Sequence, residues 1–83
     1  MKGTIVAINR QLGALVVETI AHKCMVLETL SRINAEVGDE IEGDWSEVGS
    51  MLINNVTKDT QMQTVLQTIG VSRNEAVGRM TVL

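Results

Sequence analysis

Glu40-Ile41-Glu42-Gly43-Asp44-Trp45 sets an acid against Ile41, Gly43 or Trp45 at every second position, the clearest alternation in the chain. Successive side chains of a strand point to opposite faces, so these residues predict a strand with one face in water and one in a core. Gly38-Asp39 before it reads as a turn. Ser46 to Ser50, which contains Gly49, reads as a hairpin loop leading to another strand over Met51 to Lys58. A two-residue period on both sides of short turn signals makes this an antiparallel all-β chain, and the rest of the sequence is read outward from it.

Upstream, Lys2 to Asn9 is rich in β-branched residues and predicts a first strand, followed by the polar link Arg10-Gln11-Leu12-Gly13. Ala14 to Ile20 and His22 to Glu28 predict two more strands, both apolar on two faces. In the second of these, Cys24 and Val26 share one side and Met25 and Leu27 the other. Leu30 to Val37 interrupts the pattern with Ser31, Arg32 and Asn34. Five short strands with no proline predict a small closed or partly closed antiparallel barrel of the OB type over residues 2–58, since closure disposes of exposed strand edges.

Downstream the period changes. Met62, Val65, Leu66 and Ile69 fall at helical spacing with Gly70 behind them, which predicts a short amphipathic helix in a tail over residues 59–83. Ser72-Arg73-Asn74-Glu75 has the spacing of a capping box and predicts a further turn or two of helix through Ala76, Val77 and Met80. The chain finishes Met80-Thr81-Val82-Leu83, an apolar stretch that reads either as a docked segment or as the cut end of a longer protein.

With 83 residues there is room for one core and one domain. That core must be aliphatic, because Trp45 is the single aromatic ring. The lone Cys24 excludes an internal disulfide, and neither a signal-peptide core nor a membrane-length apolar run occurs, so a cytoplasmic setting without membrane contact is expected. The net charge of −3 is segregated: Met1 to Arg32 holds four bases and two acids, Ile33 to Thr57 six acids and no base. The N-terminal half can therefore still present a mildly basic face.

Gly3-Thr4-Ile5-Val6-Ala7-Ile8-Asn9 resembles the opening strand of the bacterial cold-shock proteins, typically G-x-V-K-W-F-N, and Arg10 to Val17 falls without a gap on their K-G-F-G-F-I region. Met25-Val26-Leu27-Glu28 lies near their F-V-H-F segment. Gly38-Asp39-Glu40-Ile41 is similar to the start of their fourth strand, and Asn55-Val56-Thr57 to their closing N-V-T. This resemblance, over about residues 2–58, implies an OB-fold barrel that binds single-stranded nucleic acid. Lys2, Arg10, Gln11, Lys23 and Arg32 would then meet phosphates, and Met25 would offer an apolar contact. The family stacks bases on rings of its first three strands, whereas this chain carries Ala7, Ile8, Ala14, Val16, Met25 and Leu27 there. Each lost stacking contact forfeits roughly 1–3 kcal/mol. Ala14, Val16, Met25 and Leu27 are thus expected to form an aliphatic patch covered by the tail helix, by a protein partner or by a second subunit, or else simply exposed.

Two functions from different classes follow: weak, sequence-tolerant binding of single-stranded nucleic acid, or a non-catalytic protein-interaction or regulatory module. His22 and Cys24, two apart on a predicted strand, point the same way but lack the further ligands that zinc needs. The acids between Glu36 and Glu47 lack the spacing of a calcium loop. No nucleophile elbow or phosphate-cradling glycine loop occurs, so neither a cofactor, a metal nor a catalytic residue is expected.

Overall fold

The structure, a computed structural model, describes residues 1–29 and 32–81. The strands are β1 (Lys2–Asn9), β2 (Ala14–Thr19), β3 (Cys24–Thr29), β4 (Glu40–Glu42), β5 (Gly49–Asn55) and β6 (Thr60–Val71), and one helix, α1 (Arg73–Thr81), follows. They close into a barrel in the order β1-β2-β3-β6-β5-β4, with β4 returning to β1. Every neighbouring pair is antiparallel. The small antiparallel barrel with a short C-terminal helix is as expected. It has six strands rather than five, and it ends at Val71 rather than at residue 58. No described helix is long and apolar enough to cross a membrane.

The added strand is the stretch expected to be an amphipathic helix. Thr60-Gln61-Met62-Gln63-Thr64-Val65-Leu66 carries a two-residue period beneath the helical one: Met62, Thr64 and Leu66 are buried while Gln61, Gln63 and Gln67 are exposed. An isolated helix of this length is marginal in water. As a strand the segment pairs with β5 from Gly49↔Leu66 to Asn55↔Thr60 and with β3 from Cys24↔Val71 to Thr29↔Thr64. It thereby satisfies two sheet edges that would otherwise be left open.

The capping signal was the sounder guide to the helix. In α1 the Glu75 amide donates to Ser72 Oγ at 3.2 Å, and the Ala76 amide to the Ser72 carbonyl at 2.9 Å. Other expected boundaries shift too. β3 begins at Cys24 because His22 turns at φ 61, and β4 ends at Glu42, leaving Trp45 on the connection to β5. β5 starts at Gly49 and is over by Asn55. The interruption expected over Leu30 to Val37 holds for its described part, 32–37, which contains no strand; Leu30 and Ser31 lie outside the described residues.

Two apolar clusters result. Inside the barrel lie Ile5, Leu15, Val17, Met25, Leu27, Ile41, Ile53, Met62 and Leu66, stoppered by Ile33 and Ala35 and by Trp45. Outside it, between the β1–β2–β3 face and α1, lie Ala14, Val16, Cys24, Val26, Ala76 and Met80, with Val6, Ala7, Leu12 and Val71 against them. A register shift between Ile5 and Ala7 lets β1 serve both clusters, sending Ile5 and Ile8 inward and Ala7 outward.

Two stretches that carry the family resemblance meet in a buried polar joint. Asn55 Nδ2 donates to Asp39 Oδ2 at 2.8 Å, and the same oxygen accepts from the Glu36 amide at 3.0 Å. Lys58 Nζ stands 3.7 Å from Asp39 and 3.3 Å from Glu36. The Lys58 amide donates to Asn55 Oδ1, and the Glu40 amide to Thr57 Oγ1. In this chain Gly38-Asp39 and Asn55-Val56-Thr57 therefore hold the turn before β4 to the turn after β5.

Candidate functional site

Two surfaces compete for the role of binding site: the outer face of β1–β2–β3, where the resemblance places bases, and the end of the barrel over Trp45.

The first is roofed. α1 lies across it with Ala76 and Met80 buried against Ala14, Val16, Cys24 and Val26. Arg73 pairs with Glu18 at 2.5 Å at one end of the helix, and Asn9 Nδ2 donates to the Met80 carbonyl at 3.2 Å at the other. The guanidinium beside Glu18 holds that carboxyl below its ordinary range. The expected cover is real, but it is made by α1 and not by Met62, Val65, Leu66 and Ile69. The expected patch divides as well. Ala14 and Val16 face the helix, whereas Met25 and Leu27 point into the barrel at 1% and 0% exposure. Met25 is thus out of reach of any ligand on that face. It pairs with Val17, and Leu27 with Leu15, so both share the inward face of their partners.

The expected phosphate contacts do not form one track. Lys2 and Lys23 lie at the end where β1 starts and β2 finishes; Arg10, Gln11 and Arg32 lie at the other, beyond the β1–β2 turn. Six residues of β2 separate the two ends by about 20 Å. Arg10 is engaged, its Nη1 and Nη2 donating to the carbonyls of Ile33 (3.0 Å) and Ala35 (2.8 Å). Lys2 stands 3.7 Å from Glu40. Gln11 is exposed in its turn. Among the described residues only the side chains of Lys23 and Arg32, of these bases, make neither an ion pair nor a hydrogen bond; the Lys23 carbonyl accepts from the Thr19 amide and hydroxyl.

The second surface is the barrel mouth. A groove of about 580 Å³ is lined by Met1, Ala21, Met25, Trp45 and Ile69, with Lys23, Asp44 and Ser46 on its polar side. Trp45 is 6% exposed, and its ring lies on Gly43: a Cβ at that glycine would stand 2.8 Å from Trp45 Cη2. No side chain larger than hydrogen fits there without moving the ring. Glu42 is satisfied by the Met1 ammonium at 2.7 Å. Asp44 accepts the Ser46 amide at 3.1 Å and makes no ion pair among the described residues; the Ser46 hydroxyl first, and that amide second, keep its carboxyl below the ordinary range. Apolar side chains also stand free around the mouth, with Ile20 96% and Met1 73% exposed.

Ile20 is a residue that sequence reading passed over, having placed it at the end of a strand. It occupies the turn Thr19-Ile20-Ala21-His22, closed by the His22 amide on the Thr19 carbonyl at 2.9 Å. Apolar β-branched side chains are uncommon at such a site, where polar turn-formers dominate, and that anomaly was the available signal.

His22 and Cys24 do not form the pair that a strand over 22–28 would give. Cys24 is 0% exposed beneath α1, where burial pushes its thiol pKa up. Among the described residues no three His, Cys, Asp or Glu side chains converge on a metal position.

No family model matches the chain, and no curated protein or solved structure matches it. The likeness to cold-shock proteins therefore rests on the residues quoted for it.

Proposed function

We propose that this domain is a non-catalytic protein-interaction module whose docking surface is the barrel mouth over Trp45. The observation that carries the reading is the redistribution of apolar surface. The sheet face that bases would occupy is crossed by α1, which leaves only a groove of about 630 Å³ beside it over Ala14, Val26 and Gln67. Met1 and Ile69 meanwhile stand exposed around an apolar groove at the mouth, with Ile20 on the neighbouring β2–β3 turn. Apolar pockets of a few hundred Å³ at barrel mouths are frequent binding sites. A cytoplasmic setting suits a domain whose one thiol is free and buried.

Single-stranded nucleic acid has less in its favour. Stacking would need rings on β1–β3, and the bases that would meet phosphates are split between two ends or already engaged. The two readings are separated by titrating the dilute full chain, with Trp45 emission as the signal. An apolar anionic naphthalene dye should bind saturably near Trp45, and Ile69→Asn should weaken it. A short oligonucleotide should leave emission and mobility unchanged at ~50 mM salt. Oligonucleotide binding that collapses between ~50 and ~200 mM salt would restore the nucleic-acid reading.

A further inference from the structure

We infer that the partner at the mouth is a second copy of this chain, docked about a two-fold axis so that Ile20 of each copy enters the Trp45 groove of the other. The inference rests on the mouth being a docking surface, and it names the occupant.

Three features make the mouth self-complementary. First, a knob stands beside a hole. Ile20 is 96% exposed at the tip of the β2–β3 turn, and the next residue, Ala21, lines the groove. A two-fold contact places a feature of one copy on its neighbour feature in the other, so an adjacent knob and hole fill each other twice. Second, the rim carries one cation and one anion without an ion pair among the described residues: Lys23 and Asp44. The same axis brings Lys23 of each copy toward Asp44 of the other, giving two ion pairs from charges that find none among the described residues. Third, the other charges nearby are spent internally. Glu42 holds the Met1 ammonium, Lys2 lies by Glu40 and Glu18 holds Arg73. The groove's own lining, in which the Met1 ammonium and Lys23 balance Glu42 and Asp44, thus carries no net charge to repel its own copy, and Glu47 beside it is the one further unpaired acid among the described residues nearby.

The size of the face sets the strength. The molecule measures 29 × 28 × 23 Å, so one end offers roughly 500 Å² and two ends together about 1,000 Å², at the lower edge of specific interfaces. A dissociation constant of around micromolar to tens of micromolar is expected, and the domain should pass from monomer to dimer within a practical concentration range.

Sedimentation of the full chain from ~1 µM to ~1 mM, with Trp45 emission recorded alongside, provides the test. The mass should rise from 9.0 kDa to twice that, with an emission change over the same concentrations, since the only tryptophan in the chain lines the groove. Ile20→Asp, at a solvent-facing turn position, should keep the native circular dichroism and weaken dimerisation by about a hundredfold or more, because each dimer buries two such side chains. Lys23→Asp and Asp44→Lys should each weaken it, and an equimolar mixture of the two should recover it, because opposite charges then face each other at both contacts. A chain monomeric throughout would overturn the inference, as would an Ile20→Asp protein dimerising like the parent or a mixture no tighter than either variant alone. Dye binding separates the two readings: a monomer that still binds dye beside Trp45 refutes only the second copy, whereas one that binds none refutes the docking surface too.

Discussion

Replacing Asn55 with alanine removes the centre of the joint between the turn before β4 and the turn after β5. Asn55 is 1% exposed and makes two bonds, donating to the Asp39 carboxylate at 2.8 Å and accepting the Lys58 amide at 3.0 Å. A hydrogen bond to a charged group contributes about 1.5–3 kcal/mol, and a neutral one about 0.5–1.5 kcal/mol. Asp39 keeps the Glu36 amide and the more distant Lys58, which limits the damage. A loss of about 2–4 kcal/mol at pH 7 is expected, a large part of the ~5–15 kcal/mol typical of a domain. With a urea dependence of about 1–2 kcal/mol per molar, the unfolding midpoint followed by Trp45 emission should fall by roughly 1–4 M.

The same variant carries a pH signature. The Asn55 amide is the foremost cause holding the Asp39 carboxyl below its ordinary range. A depressed carboxyl contributes stability above its unfolded pKa of about 3.9 and loses it as the pH falls through the lower folded value. The gap between parent and Asn55→Ala should therefore be full at pH 7 and narrow below about pH 4. A gap under about 0.5 kcal/mol at pH 7, or one of the same size at pH 7 and pH 3, would refute the joint as a stabilising device.

Other positions are as accessible to test. Met80→Ala should cost about 1–3 kcal/mol and free α1 from the sheet, read as lost helical circular dichroism and early proteolysis within residues 72–81; an unchanged digestion pattern would contradict its anchoring role. Cys24 should resist an aromatic disulfide reagent in the native chain and react much faster in Ala76→Asp, which introduces a charge into the cluster above it; equal rates would show that the thiol is not shielded by the helix. Gly43→Ala should displace the Trp45 ring, shift its emission to the red and destabilise by about 1–3 kcal/mol, and unchanged emission with unchanged stability would mean the ring does not rest on that glycine.

Of the groove's lining, the sequence marks only Lys23 and Met25 as contact candidates, because barrel closure is what brings Met1, Ala21, Trp45 and Ile69 beside them. The sequence shows that the ring positions of a base-stacking face have become aliphatic, and it favours cover by the tail helix over a partner, a second subunit or simple exposure. Its choice of cover was wrong because Met62, Val65, Leu66 and Ile69 satisfy a helical period while Met62, Thr64 and Leu66 satisfy a strand period over the same residues. Periodicity cannot separate the two in a short segment. The Ser72 capping signal, local and independent of tertiary context, marked the true helix. Of the apolar end, which reads as a docked segment or as the cut end of a longer protein, Met80 docks, while Val82 and Leu83 lie outside the described residues.

Local chemistry alone determined that this chain is one small β-rich domain with an aliphatic core, because alternation, turn residues and caps act over a few positions and need no distant partner. It also assigned Cys24 and Val26 to one face of β3 and Met25 and Leu27 to the other. Which face would be sealed, and by what, was decided only in three dimensions. A strand's two faces are chemically alike when both are apolar, so inside and outside are chosen by the partners available. Here β6 competed successfully for the open edges of β3 and β5, and α1 was left to cover β1–β2–β3. The same closure brought Met1, Ala21, Lys23, Asp44, Trp45 and Ile69, far apart along the chain, into one groove.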